Sequence, residues 1–379
     1  MRIAMIIEAW KPIWGGGQAV AYEIGKRLSE NYDVKIDLFV MNLVGYEGDN
    51  IEQINGNFRI IHVGKKRTWC FKDRILWTYE VIKEILNYHK KEKYDLIYAH
   101  AYLPGIPAKL LSVTLKIPIC YHIHGANNLE IGKRNLISLV EKVLLTQIKY
   151  DLEFSVSKNF LKYKNVNKVK YIPNGVNVEI FEKGYKKFIN NKNNNEFKIL
   201  FVGRFDKVKG LHVLIKAIAS LKNHLINKNA KFYLVGYGYD EDNLKNLIKK
   251  FDLENLIVFR GKLVGDDLIK EYVTSDLFVL PSLSEGFPLT VLEAWACKLP
   301  VLVTSVGELQ YIIKEDYNGW LISPGSAKEL SEKLKYVLNL DRKKLAEVGE
   351  NGHESVKEKY NWDEIIKNIY DELTKVIRP

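Results

Sequence analysis

Cysteine is nearly absent: the 379 residues hold three, Cys70, Cys120 and Cys297. Isolated and odd in number, they build neither a disulfide framework nor a zinc knuckle, and they suit a reducing compartment such as the cytoplasm. Apolar runs of bilayer length are missing as well. The longest candidate, Leu277 to Val306, is interrupted by Glu285, Glu293, Lys298 and three prolines,. The apolar start Ile3 to Ile7 has the length of a strand and not of a secretory core. Gly15-Gly16-Gly17 lacks a spaced third glycine and an acidic ribose partner at the end of a clear second strand, which disfavours a dinucleotide fingerprint and a dehydrogenase. Gly203 to Gly210 is not continued by Gly-Lys-Ser/Thr, so it is no Walker loop. No nucleic-acid-binding module is recognisable, and nucleic acid is not an expected partner.

What is present is the composition of a globular enzyme, 47% apolar and 27% charged. The length exceeds one ordinary core and implies two domains of similar size. The net charge is +11, and residues 1–180 hold 26 Lys and Arg against 18 Asp and Glu, so +8 of it lies in the first half. A basic first half suits an anionic membrane surface or a phosphorylated acceptor, and a plain solvated lysine-rich surface accounts for it equally well.

Short β-rich runs alternate with helical spacing, the pattern of an α/β fold. Met1 to Ile7 reads as a buried strand, followed by a loop ending in three glycines and a helix with Val20, Ile24 and Leu28 in register. Val34 to Val40, Phe58 to Val63, Tyr94 to Ala99, Ile117 to Ile123 and Phe154 to Ser157 continue the strands. Lys65 to Lys93 interleaves lysines with Trp69, Phe71, Trp77 and Tyr79, and from Asp73 it has helical spacing. An acceptor- or membrane-facing surface is one reading, and the ordinary amphipathic spacing favours the other, aromatics buried in the core. Asn135 to Tyr150 reads as a helix with a broad apolar face. Pro173-Asn174-Gly175 is turn chemistry, and Asn190 to Asn195 is polar enough for a linker. The second half opens with Lys198 to Val202 and the glycine-flanked loop Gly203 to Gly210, and closes with a helix from Trp362.

Most of the chemistry gathers in Pro281 to Glu293. A buried strand, Leu277 to Leu280, runs into Pro-Ser-Leu-Ser-Glu-Gly-Phe-Pro, and a helix follows from Thr290. Gly286 permits a tight excursion and Pro288 sets φ just before the helix. Free N–H groups and a positive dipole end therefore await an anion, while Glu285 and Glu293 offer carboxylates to hydroxyls. Phosphate plus polyol means a sugar nucleotide. Arg204 and Lys209 flank the Gly203 to Gly210 loop within reach of a diphosphate. Asp240-Glu241-Asp242 superficially contains a metal-binding Asp-x-Asp, but its place at a helix start argues for capping. His122 and His124 share one face of a strand, and a zinc site with His100 lacks an evident fourth ligand.

Glu285-Gly286-Phe287-Pro288 to Glu293, with further matches along almost the whole chain, resembles the donor signature of retaining glycosyltransferases of family 4. The resemblance implies the GT-B fold, two Rossmann-like domains facing each other across a cleft. Here they would span residues 1–183 and 197–361, with a C-terminal helix, 362–379, crossing back to the first. By the same resemblance Gly15, Gly16, Arg204, Lys209 and the N–H groups of Leu289 and Thr290 serve the donor diphosphate. Glu285, Phe287 and Pro288 meet the sugar, Glu293 the ribose, and Arg260 and Gly261 the base. His124 and Glu285 are the expected catalytic residues. The expected reaction moves a hexose from a nucleotide-diphosphate sugar to a hydroxyl of a glycan or lipid-linked acceptor with retention, needing no metal and no other cofactor, in the cytoplasm and peripherally at the inner face of the membrane. A non-catalytic sugar-nucleotide-binding subunit, an epimerase and a phosphorylase of the same fold remain the alternatives.

Overall fold

The computed structural model describes residues 1–125, 136–162, 169–193 and 195–377. The chain forms two units, Met1–Asn174 with Asp363–Pro379, and Gly175–Trp362.

The first unit is built on β1 (Arg2–Ile6), β2 (Lys35–Leu43), β3 (Ile51–Gln53), β4 (Phe58–Arg67), β5 (Leu96–His100), β6 (Ile119–Ile123), β7 (Leu152–Ser155) and β8 (Val169–Tyr171). Their order is β3-β4-β2-β1-β5-β6-β7-β8, parallel throughout except where β3 meets β4. All five residues of β1, of β5 and of β6 are buried, because helices cover both faces of a parallel sheet and its central strands cannot alternate apolar with polar. The helix Trp362–Ile377 buries Ile365, Ile366, Ile369 and Leu373 and stacks Tyr370 on Tyr32 at 4.1 Å, within this same unit.

The second unit carries β9 (Phe197–Val202), β10 (Ala230–Val235), β11 (Ile257–Gly261), β12 (Leu277–Leu280), β13 (Val301–Thr304) and β14 (Trp320–Ile322) in the order β11-β10-β9-β12-β13-β14, all parallel. In each unit the chain leaves the first strand in one direction and later returns to its other side. This makes switch points between β1 and β5 and between β9 and β12, and α/β sheets bind ligands beyond the strand ends there.

The structure differs from the sequence expectations in several places. The helix Val178–Phe188 begins inside the span 1–183 expected for the first domain, but it packs on the helices Gly265–Val273 and Leu289–Ala296 of the second unit. The linker read from Asn190 to Asn195 begins inside a short 3-10 turn, Ile189–Asn191, and Asn194 lies outside the described residues. The basic-aromatic segment is helical from Phe71 to Lys91, but of its aromatic residues only Trp77 is buried, with Val81 and Ile85. Trp69, Phe71, Ile75, Leu76 and Tyr79 face out, Tyr79 with 70% of its surface exposed, so the core placement of these aromatics is overturned. The helix placed from Asn135 runs Leu136–Thr146. Asn135 lies outside the described residues, and Leu139 and Val143 of the expected apolar face are exposed.

Candidate active site

In the second unit, the loops after β9 and β12 lie side by side at the switch point and are tied backbone to backbone. The Leu283 amide donates to the Val208 carbonyl at 2.7 Å, and that of Glu308, just beyond β13, to the Gly286 carbonyl at 2.8 Å. The Thr304 hydroxyl donates to the Ser282 carbonyl at 2.6 Å. Two glycines make the packing possible. Gly210 (φ +69°) and Gly307 (φ +55°) adopt left-handed backbone, and a side chain on them would overlap the carbonyls of Pro281 and of Glu285 and Gly286,. Gly307, Ser282 and Thr304 were not singled out in the sequence. The glycine three residues past the end of β13 was the available signal.

This bracing fixes Glu285. Its Oε1 accepts from the Ser282 hydroxyl at 2.7 Å and from the Lys209 ammonium at 2.6 Å, leaving Oε2 with no partner among the described residues. A buried carboxylate with one oxygen held and one open is preorganised to accept from a hydroxyl. The Lys209 side chain is largely buried, with its ammonium held on Glu285. Arg204, half exposed, pairs with Asp206 at 3.1 Å, and the Asp206 carboxylate accepts from the Lys209 amide at 3.1 Å. The structure therefore brings Lys209 and Glu285 together, with Arg204 on the same loop as Lys209.

Pro288 precedes the helix Leu289–Ala296 in an extended conformation, and no side chain caps that helix start. The amides of Leu289 and Thr290 have no partner among the described residues, so two donors and the positive dipole end stay open. One turn in, Glu293 accepts from the buried Tyr272 hydroxyl at 2.7 Å. Burial raises the Glu293 carboxyl above the ordinary range, opposed by this hydrogen bond. Tyr272, fixed on the preceding helix, is a further residue the sequence does not flag. Phe287 is buried against Tyr360 at 5.3 Å between ring centres. Arg260 is tied to Glu271 at 2.9 Å, and Gly261 (φ +67°) has open space around it. The expected capping role of Asp240 takes another form: the residue stands at the helix start, but its carboxylate accepts from the Asn243 side chain and not from a backbone amide.

The first unit presents a different edge. Gly15 is the N-cap of the helix Gly16–Asn31 with extended backbone, no side chain caps the helix, and its first turn has no acidic residue. Nothing lies within 4 Å of a side chain placed at Gly16, so the amide end stands open to an anion. Gly17 lies alongside the His124 ring. Nε2 of His124 and Nδ1 of His100 share a hydrogen bond at 2.9 Å, and Nδ1 of His122 meets the Tyr98 hydroxyl at 2.8 Å. Burial pushes the His124 imidazole down to about 4 and those of His100 and His122 well below their usual value, which keeps all three neutral at physiological pH. His124 lies beside His122, as the strand alternation implies, and His100 completes a cluster of three imidazoles. After β1, Glu8 is buried and bonded to Arg74 at 2.6 and 2.9 Å, and Arg74 also donates to the Tyr102 hydroxyl at 2.9 Å. No helix among the described residues is long and apolar enough to cross a membrane.

Comparison with known proteins agrees over both units. The family description "Glycosyltransferase Family 4" matches residues 14–180, and "Glycosyl transferases group 1" matches residues 182–355. An uncharacterized glycosyltransferase of Methanocaldococcus jannaschii is 29% identical over 98% of both chains. An Escherichia coli UDP-Gal:alpha-D-GlcNAc-diphosphoundecaprenol alpha-1,3-galactosyltransferase is 31% identical over 62% of this chain and 63% of its own. Among solved structures, sucrose-phosphate synthase of Thermosynechococcus elongatus superposes with a TM-score of 0.87 at 22% identity, covering 99% of this chain and 98% of that one. HepE of Anabaena, solved with UDP-glucose, superposes at 0.78 and 20% identity over 99% of this chain and 100% of its own. Sheet order, the Glu285 to Glu293 segment and these matches converge: the chain belongs to the family 4 glycosyltransferases with the GT-B fold.

Proposed function

We propose that this glycosyltransferase moves a hexose from a nucleotide-diphosphate sugar to a hydroxyl of a glycan or lipid-linked acceptor, with retention and without a metal, in the assembly of a cell-envelope polysaccharide, glycolipid or glycoprotein glycan. The observation that carries the reading is the Lys209–Glu285 pair beside the uncapped start of Leu289–Ala296. It sets cation, amide donors and a half-open carboxylate on one platform. As the sugar departs, negative charge builds on the diphosphate, and Arg204, Lys209 and the Leu289 and Thr290 amides are suited to stabilise it without a divalent ion. Gly15 and Gly16 offer further amides to the donor. The free oxygen of Glu285 takes a sugar hydroxyl, Phe287 and Pro288 line the sugar, Glu293 takes the ribose hydroxyls, and the backbone at Arg260 and Gly261 meets the base. His124, neutral, donates to the sugar. Among the described residues no carboxylate presents itself as a covalent nucleophile, which favours a front-face path in which the leaving phosphate takes the acceptor's proton. HepE was solved with UDP-glucose, and the name of the E. coli relative specifies a UDP-sugar donor and a lipid-linked acceptor. Both support donor and acceptor classes of this kind, and a lipid-linked acceptor suits a chain working in the cytoplasm against the membrane's inner face.

The test is product analysis. Transfer from one of a panel of nucleotide sugars, persisting in excess chelator and giving the donor's anomeric configuration by NMR, is the expected result. Donor interconversion without acceptor would make the protein an epimerase, and a need for free phosphate a phosphorylase. Tight donor binding with no product would leave a non-catalytic subunit.

A further inference from the structure

The helix Phe71–Lys91 carries two apolar stripes of identical spacing. Trp77, Val81 and Ile85 enter the core, while Phe71, Ile75 and Tyr79 stand in solvent with Leu76 and Trp69 beside them. The exposed apolar stripe from Phe71 to Tyr79 extends about 12 Å along the helix. Aromatic and aliphatic side chains in that number on one exposed strip mark a contact surface. The charge around it has one sign. Lys65, Lys66, Lys72 and Lys83 are exposed, whereas Asp73 and Glu80 are drawn onto Arg67, at 3.5 and 2.5 Å.

The neighbouring helix Gly105–Leu115 packs against this one, exposes Leu110 and Val113 and contains no acidic residue. Right-handed crossovers from β4 to β5 to β6 to β7 place the helix Leu136–Thr146 on the same face of the sheet. It exposes Leu139, Val143 and Lys142 and buries Glu141. Every Asp and Glu on the three helices is buried or half-buried. Apolar side chains rimmed by unpaired lysines match a surface that is anionic outside and apolar within.

We propose that this face of the first unit docks on a bilayer containing anionic phospholipid, with Trp69, Phe71, Ile75, Leu76 and Tyr79 entering the headgroup boundary. The docking bears on the reaction through Arg74. Its guanidinium lies 4.6 Å from the Trp69 ring centre and bonds Glu8 after β1 and Tyr102 after β5, at the strand-end edge that also carries Gly15 and His124. The stripe thus begins at the edge where the proposed function puts the donor sugar, which an acceptor would have to reach. Resting on the transferase reading above, this narrows the acceptor to a hydroxyl on a lipid-borne molecule.

Co-sedimentation tests it, using the full chain and vesicles of phosphatidylcholine with roughly one third phosphatidylglycerol. The parent should sediment with these vesicles, less so as salt rises, and hardly at all with pure phosphatidylcholine. The double variant Ile75→Glu, Tyr79→Glu, altered only at exposed positions, should keep its melting temperature and nucleoside diphosphate affinity while vesicle partitioning drops about tenfold or more. Lys65→Glu with Lys66→Glu should weaken binding chiefly at low salt. Failure of the parent to sediment at low salt, equal sedimentation of the double variant, or a stripe-dependent dimer in lipid-free sedimentation velocity would overturn the proposal. Vesicle binding without any nucleotide binding would sink the transferase reading and leave the docking face standing.

Discussion

The two units repeat one construction, strand, glycine loop and uncapped helix, and each has an ion pair at that edge, Glu8 with Arg74 in the first. Among the described residues, only the first adds a cluster of imidazoles. At the strand ends of the second unit, charges are paired and held by neighbouring loops: Lys209 on Glu285, Arg204 on Asp206. At the corresponding edge of the first, three imidazoles are kept neutral by burial beside a helix start made only of glycine. Ion pairs can open toward a diphosphate and re-pair with it. Neutral donors offer a sugar hydrogen bonds with no charge of their own. On the proposed function the same backbone plan would serve two tasks, and the side chains that close each strand would decide which.

The comparison breaks most visibly if either edge loses its polar group. In Glu285→Gln and in His124→Ala, turnover should fall by about two to three orders of magnitude, the size typical of removing one preorganised polar group that stabilises a transition state. Nucleoside diphosphate affinity should stay near normal in both. Transfer at close to the parent rate would make the altered residue structural. Next come the cations. Arg204→Ala and Lys209→Ala should each weaken nucleoside diphosphate binding by about 1.5–3 kcal/mol, read by calorimetry. Lys209→Ala should also lower the unfolding free energy, since it leaves the buried Glu285 carboxylate with Ser282 alone, whereas Arg204→Ala, at a half-exposed site, should not.

Glycine positions sharpen the contrast further. Gly307→Ala should cost about 1–3 kcal/mol in urea unfolding, because its backbone is left-handed and its space is filled by carbonyls,. Gly16→Ala, in open space at a helix start, should leave stability unchanged or improved while weakening donor binding. Equal melting losses in the two would deny that only the second unit is braced this way.

The gentlest test is pH. The folded-state histidines titrate below their unfolded value, so between about 6.5 and 4 the unfolded chain binds more protons and stability falls as pH drops. The slope is at most about 1.4 kcal/mol per pH unit for each such histidine. Glu293, raised by burial, works with the opposite sign: above the ordinary carboxylate value the folded state holds the proton longer, so this contribution declines as pH rises through its folded value. Urea unfolding across this range should flatten in His122→Phe and steepen in Glu293→Gln.

The strand-loop-helix punctuation was legible because glycines in a loop between a β-rich run and a helix start are local signals. That is why the loops carrying Glu285, Lys209 and Gly15 could be picked out from the chain, while the role expected of His124 came with the family resemblance. The braces were not legible. Tyr272 under Glu293, Thr304 on Ser282 and Gly307 on the Glu285 carbonyl join segments distant in sequence, and each looks ordinary in its own neighbourhood. The helix Phe71–Lys91 shows a second limit. Trp77-Val81-Ile85 and Phe71-Ile75-Tyr79 have the same spacing of four, so periodicity predicts a helix but cannot choose which stripe the sheet will cover. Packing against the sheet makes that choice.

The most direct measurement of the central claim, that the charged edge of the second unit holds the donor's diphosphate without a metal, is a calorimetric titration of nucleoside diphosphates in excess chelator. Parent protein, Arg204→Ala and Lys209→Ala should be compared side by side. The account predicts that the parent binds at least one of them with the chelator present and that both variants bind it about tenfold or more weaker. Binding that appears only when magnesium or manganese is restored, or affinity unchanged in both variants, would contradict it.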